Sequence, residues 1–346
     1  MRSFLKPLAG LSCLFALATA GCSAGSDGSA DAAPGPSRRS SSSPSATAAE
    51  AAASSTTAYA PYVSATEASD NDSAGSPAAY NLAFVISDGS GCTPEWNGTV
   101  AVDDTAVASR VSALTESGAT VRVSFGGASG KELASTCDSA SALAKAYGAA
   151  LDAAGSSRAD FDIEGDELTD SDSVARRSKA IALLQEDRPG LEVSFTLPVM
   201  PSGLDDDGLA LLESANEYDV QVSTVNLMTM NYGESYAGDM GSYAITSATA
   251  AQAQLREVFG TADETAWKGL ALTSMIGTND VDNETFSLAD AAQVRAFAEK
   301  KGVAWVSMWA TFRDQQCADG TSTDDAPTNC SGVEQSPGAF AEAFTG

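Results

Sequence analysis

Residues 159–167 read ADFDIEGDE, a run in which Asp160, Asp162 and Glu164 alternate with Phe161 and Ile163. Alternation of period two on aromatic and β-branched partners marks a strand whose acids share one face and whose apolar side chains share the other. Crowding three carboxylates on one face is costly. In a low-dielectric setting they cannot all ionise, so at least one pKa rises and a proton is shared. The run therefore predicts a strand over 159–165 whose acids face a reaction centre.

Seven further stretches read as strands: TAYAPYVS (57–64), AYNLAFVIS (79–87), ATVRVSFGG (119–127), LEVSFTLPV (191–199), VSTVNLMTMNYG (222–233), WKGLALTSMIG (267–277) and VAWVSMWATF (303–312). Segments of helical spacing lie between most of them, among them SASALAKAYGAALDAAG, SVARRSKAIALLQE and LADAAQVRAFAEKKG, the last closed by a Lys-Lys-Gly stop. Strands alternating with helices build a parallel sheet. Eight such units over about 290 residues predict an α/β fold, a closed, parallel, eight-stranded (β/α)8 TIM barrel. Sites in such barrels form at the C-terminal strand ends, where Gly126, Gly127, Glu164, Asn231, Tyr232, Met275 and Trp309 are expected to converge. Asp160 is expected deepest and Glu164 nearest the mouth.

The 346 residues carry 19 Lys and Arg against 46 Asp and Glu, a formal charge of −27, and no histidine. Nucleic acid, which calls for basic surface, is excluded as a partner. The lack of histidine excludes Ser-His-Asp and Cys-His catalysis and His-ligated zinc, leaving carboxylates as the acid–base groups.

The first residues, MRSFLKPLAGLSCLFALATAGCSAG, have a basic start, an apolar stretch and a small-residue end, so 1–21 reads as an export signal. Ala18-Thr19-Ala20 suits ordinary signal peptidase, whereas Ala20-Gly21-Cys22 resembles a lipobox despite Thr19 where Leu is usual. The second reading explains an otherwise free Cys22, so lipidation there and an extracellular location, tethered to the outer face of a bacterial membrane, are expected. Residues 22–56, rich in Ser, Ala and Pro, read as a disordered tether of roughly 30 Å mean span. Residues 57–346 form the expected single folded domain, and a monomer is expected. Of the four cysteines left, Cys92 is expected to pair with Cys137 and Cys317 with Cys330, since both pairs fall in loop-like sequence of an exported chain.

Taken in order and on these strands, YNLAFVIS, VRVSFGG, DFDIEG, NLMTMNYG and VSMWATFRD resemble the chitinases of glycoside hydrolase family 18, in particular secreted actinobacterial ones. The likeness spans roughly 57–346. It implies retaining hydrolysis of β-1,4-linked N-acetylglucosamine polymers with Glu164 as general acid, Asp162 orienting the substrate's 2-acetamido group and Asp160 sharing a proton with Asp162. No protein nucleophile and no cofactor are implied, because the acetamido oxygen itself attacks the anomeric carbon. Trp309 would floor the sugar site, with Met230, Asn231, Tyr232, Met275 and Gly127 as further substrate contacts. Trp305 reads as a core residue, and Gly126 and Gly127 also read as sites of close packing.

Two positions depart from the family pattern. Ser157 replaces the first Asp of D-x-x-D-x-D-x-E, and Asn231 stands where Asp is usual, removing a charge expected to help a cationic intermediate. An N-glycan endo-β-N-acetylglucosaminidase and a weakly active chitin-binding lectin share the same residues. A calcium loop starting at Asp160 would need an acid at its twelfth position, where Ser171 stands.

Overall fold

The computed structural model describes residues 57–321 and 328–346. The expected signal peptide, the 22–56 tether and Cys22 lie outside the described residues. Among those described, no helix is long and apolar enough to cross a membrane.

Eight parallel strands form the barrel, and the short strands Pro94–Trp96 and Val100–Ala101 extend the same sheet in antiparallel fashion. Strand β1 runs as Ala58–Tyr59 and Tyr62–Ser64, followed by β2 (Ala79–Ser87), β3 (Thr120–Gly126) and β4 (Arg158–Asp162). After these come β5 (Glu192–Pro198), β6 (Val222–Met228), β7 (Leu270–Met275) and β8 (Trp305–Trp309). Each strand from β2 to β8 pairs in parallel with the next. Closure depends on the break in β1. Pro61 has no N–H to give, so the strand changes partner there: Ala58 and Tyr59 pair with Trp305 and Val306 of β8, whereas Tyr62–Ser64 pair with Asn81–Ala83 of β2. Pro61 still accepts from the Asn81 N–H at 2.9 Å. The ring is complete, a (β/α)8 barrel.

Helices cover its outer face. The helix after β3, Ala140–Ala154, is capped by Ser139 and stopped by Gly155 in the left-handed region. The helix after β7, Leu288–Lys301, opens on a Ser287/Asp290 capping box and ends at Gly302, so the Lys-Lys-Gly stop does what such a stop should. Asp205 caps the helix Asp206–Glu217, which absorbs the Asp205-Asp206-Asp207 run as a helix start favoured by the dipole. Cys92 is bonded to Cys137 and Cys317 to Cys330, with Cα atoms 4.5 and 5.0 Å apart.

Several boundaries differ from the sequence reading. Strand β4 ends at Asp162 rather than Gly165, because Gly165 turns the chain into the short helix Asp166–Thr169. Strand β6 ends at Met228, five residues short of the expected 233, and Trp267 belongs to the helix Asp263–Lys268 instead of β7. In each case apolar side chains continue past the strand into a loop or helix that is also buried, so composition alone overruns the end.

Candidate active site

The register across β3, β4 and β5 builds the site in rows. On the helix-facing side Phe125, Phe161 and Phe195 are in register, with ring centroids 5.3 and 5.7 Å apart, so the apolar half of the alternation is consumed by packing. On the inner side the aligned row is Ser124, Asp160 and Ser194. Asp160 accepts from Ser124 at 2.7 Å, Ser194 at 2.6 Å, Thr196 at 2.8 Å and the Tyr62 hydroxyl at 2.9 Å. Four hydroxyl donors occupy both of its oxygens.

One row nearer the mouth stand Gly126, Asp162 and Thr196. A Cβ on Gly126 would lie 2.1 Å from the Asp162 carbonyl, which also accepts from the Gly127 N–H at 2.9 Å. Only glycine fits there, at φ 100°. Asp162 is buried, and its Oδ1 has no hydrogen-bond partner. Burial, then the charge of Glu164, then that of Asp160 push its carboxyl well above the ordinary range, and a hydrogen bond to Glu164 adds to the effect. Glu164 follows on the turn after β4, partly exposed. Its pKa rises to about 6, chiefly through burial; the Asp162 hydrogen bond opposes the shift and the charge of Asp280 adds to it. Asp162 and Glu164 therefore titrate as an interacting pair, both raised chiefly by burial. The hydroxyls of Ser124, Ser194, Thr196 and Tyr62 surround Asp160, whose charge adds to the rise at Asp162.

These acids open into a cleft of about 110 Å³ whose lining includes Tyr62, Asp162, Glu164, Met230, Asn231 and Trp309. A larger hollow of about 570 Å³ adjoins it, and Phe84 and Trp309 line both. The two rings stack at 5.5 Å between centroids, and Tyr62 meets both, at 5.9 and 5.8 Å. The peptides Ala83–Phe84 and Trp309–Ala310 are both cis.

Three expected contacts lie elsewhere. Tyr232 is buried among Tyr236 and Tyr243 and accepts from Ser247 at 3.4 Å, so its hydroxyl points into the helical layer. Met275 is buried and does not line the cleft, whereas Thr273, deeper on the same strand, does. Gly127 does not line the cleft; it meets the site through its N–H to the Asp162 carbonyl and through the Phe84 ring, 2.8 Å from where a Cβ would stand. Trp305 packs in the barrel floor with the Arg122 guanidinium 4.1 Å above its ring. Tyr62, Phe84, Thr196, Thr273 and Asp280 were missed as lining residues. Tyr62 and Thr273 lie on expected strands and strand periodicity would have found them, but nothing local marks Asp280. No cluster of His, Cys, Asp or Glu suited to a metal ion occurs among the described residues.

No family model matches the chain. It is 32% identical over 275 residues to the "Probable bifunctional chitinase/lysozyme" of Escherichia coli (strain K12), covering 74% of this chain and 31% of that protein. To "Endochitinase 11" of Metarhizium anisopliae it is 30% identical over 279 residues, 75% of this chain and 53% of the other. The chain thus spans about a third and about half of the length of these relatives. The catalytic domain of a hyperthermophilic chitinase from Pyrococcus furiosus superposes with a TM-score of 0.72 at 28% identity, over 83% of this chain and 93% of that domain. With the closed barrel and the acids of β4 in register, the chain resembles the chitinases of glycoside hydrolase family 18 over its described barrel.

Proposed function

We propose that the protein hydrolyses β-1,4-linked N-acetylglucosamine polymers, chitin or its oligomers, with retention. The observation that carries this reading is the buried, unpartnered Oδ1 of Asp162 beside Glu164 in the cleft. A buried oxygen without a donor costs on the order of 1–3 kcal/mol, and an acetamido N–H offered by a substrate would satisfy it. So held, the acetamido carbonyl oxygen attacks the anomeric carbon while Glu164 gives its proton to the departing glycosidic oxygen. The carbon–oxygen bond to the leaving sugar breaks and a cyclic oxazolinium forms. Water, deprotonated by Glu164, then attacks the anomeric carbon and reopens the ring. Trp309 and Phe84 offer apolar faces on which sugar rings stack, and the adjoining hollow supports a substrate of several units. Catalytic-site mutants of the P. furiosus domain have been solved with chito-oligosaccharides. Product analysis of the purified protein on N-acetylglucosamine oligomers and on an N-glycopeptide tests the proposal, and cleavage of the glycopeptide alone would replace it.

The pH profile follows from Glu164. Its protonated form is the active acid in the free enzyme, and that form disappears as pH rises through about 6. On N-acetylglucosamine oligomers kcat/KM should fall about tenfold per pH unit above that point, as an apparent constant of the Asp162–Glu164 pair. A profile flat from pH 5 to 8 would contradict the assignment.

Export and lipid anchoring are proposed from residues 1–22 alone. Cys22→Ala should release the protein from membranes or leave it unprocessed, and mass spectrometry of a mature, unmodified N-terminus at Gly21 would refute the anchor.

A further inference from the structure

Asn231 does not behave as an Asp that has lost its charge. Its Oδ1 accepts from the backbone N–H of Asp280 at 3.0 Å, and its Nδ2 donates to Oδ2 of Asp280 at 3.4 Å. Both ends of the amide grip one residue, which lies in the loop after β7 and lines the cleft with Glu164. A carboxylate at 231 could accept the backbone N–H but would offer nothing to the Asp280 side chain except repulsion.

The loops on both sides of this contact are held. Asn231 sits at φ 54°, a left-handed conformation that Asn tolerates. The Gly233 N–H donates to Glu284 Oε1 at 2.8 Å, and the Asn279 amide donates to the carbonyls of Met275 and Gly277 at 2.9 and 3.0 Å. Arg313 donates to the carbonyls of Ile276 and Thr278 at 3.1 and 2.8 Å. The Asp280 carboxylate is thus placed by two interlocked loops.

We infer that Asp280 supplies the anionic charge that this cleft sets against the cationic intermediate, and that Asn231 is the clamp that aims it. The inference rests on the proposed hydrolysis of N-acetylglucosamine polymers. The charged and titratable groups that face it are Glu164, Asp162 and Tyr62 across the cleft and Arg313 from the segment after β8, while Asp282 and Glu284 follow on its own loop. Of these, Arg313 attracts Asp280 and Glu164 is repelled by it, which helps to keep the acid protonated. One carboxylate therefore has two effects: it favours positive charge on the sugar and discourages negative charge on the acid. Mutual pairing also explains the residue types, since the charge can sit at 280 or at 231 but not at both.

The test uses the whole protein with Asp280→Asn, Asn231→Asp and the double exchange. In the unliganded protein, carboxyl NMR titration should show the Asp162–Glu164 pair losing its protons at lower pH in Asp280→Asn. On N-acetylglucosamine oligomers, Asp280→Asn should lower kcat roughly tenfold with KM changed less than about threefold, the sign of lost transition-state stabilisation. Asn231→Asp should also lower kcat. The double exchange restores one amide and one carboxylate to the pair, so its kcat should return to within about threefold of wild type, a strong non-additivity. An unmoved titration in Asp280→Asn, or losses in the double variant that multiply those of the singles, would overturn the inference. Should the wild type cleave no such oligomer, the functional reading fails, and the titration alone then upholds or overturns the action of Asp280 on Glu164.

Discussion

Replacing Glu164 with glutamine is expected to lower kcat on N-acetylglucosamine oligomers by at least ~10²- to 10⁴-fold, the worth of a general acid. The chain has no histidine to take over the proton. Asp162, the acid beside Glu164 in the cleft, is buried deeper, at the end of β4, and is the group that holds the acetamido in the proposed reaction. Glutamine keeps the shape and the hydrogen bond to Asp162 but has no transferable proton. Binding should survive, since Trp309, Phe84 and Asp162 are untouched, and calorimetry with the oligomers reads that directly. Folding should survive as well, by the following sign. The folded pKa of Glu164 is raised to about 6, so the stability contributed by its neutral form is complete below the unfolded value and lost as pH rises through about 6. A permanently neutral glutamine does not incur that loss, and the variant should melt no lower than wild type at pH 7. Retention of more than about a tenth of wild-type kcat would remove Glu164 from its role.

The largest loss of stability is expected from Glu132→Gln, at a buried carboxylate that does not line the cleft. Glu132 is buried in the segment after β3, where its Oε2 accepts from Arg177 Nη2 at 2.7 Å, Arg177 Nε at 3.1 Å and the Ala134 N–H at 2.8 Å. Its Oε1 accepts from the Tyr147 hydroxyl at 2.5 Å. Arg177 and Tyr147 are equally buried and belong to the helices Ser171–Asp187 and Ala140–Ala154. Neutralising the carboxylate leaves the guanidinium without its counter-charge, which costs about 3–5 kcal/mol where a buried pair is broken. For a domain of this size that corresponds to a fall in Tm of roughly 10 °C. Removing the cation as well, in Glu132→Gln with Arg177→Met, should recover part of the loss. A fall of less than about 2 °C in the single variant would show that water reaches Arg177.

The active strand and the barrel around it were legible because their signals are local. Alternation at 159–163 states which side chains share a face, and Phe161 and Ile163 pack outward while Asp160 and Asp162 point in. Eight strand-like runs separated by capped helices leave few arrangements besides a parallel barrel. What the pattern could not state is which atoms meet across the barrel. Tyr62 reaches Asp160 over 98 positions and Asn231 reaches Asp280 over 49. The first contact exists only because β1 changes partner at Pro61 and closes the ring, the second only because two irregular loops are locked together. Tyr232 follows Asn231 directly, yet the left-handed turn at Asn231 sends its ring into the helical layer. Periodicity assigns faces within a strand; the partner of a carboxylate is set by ring closure and loop backbone, which carry no repeat for a sequence to display.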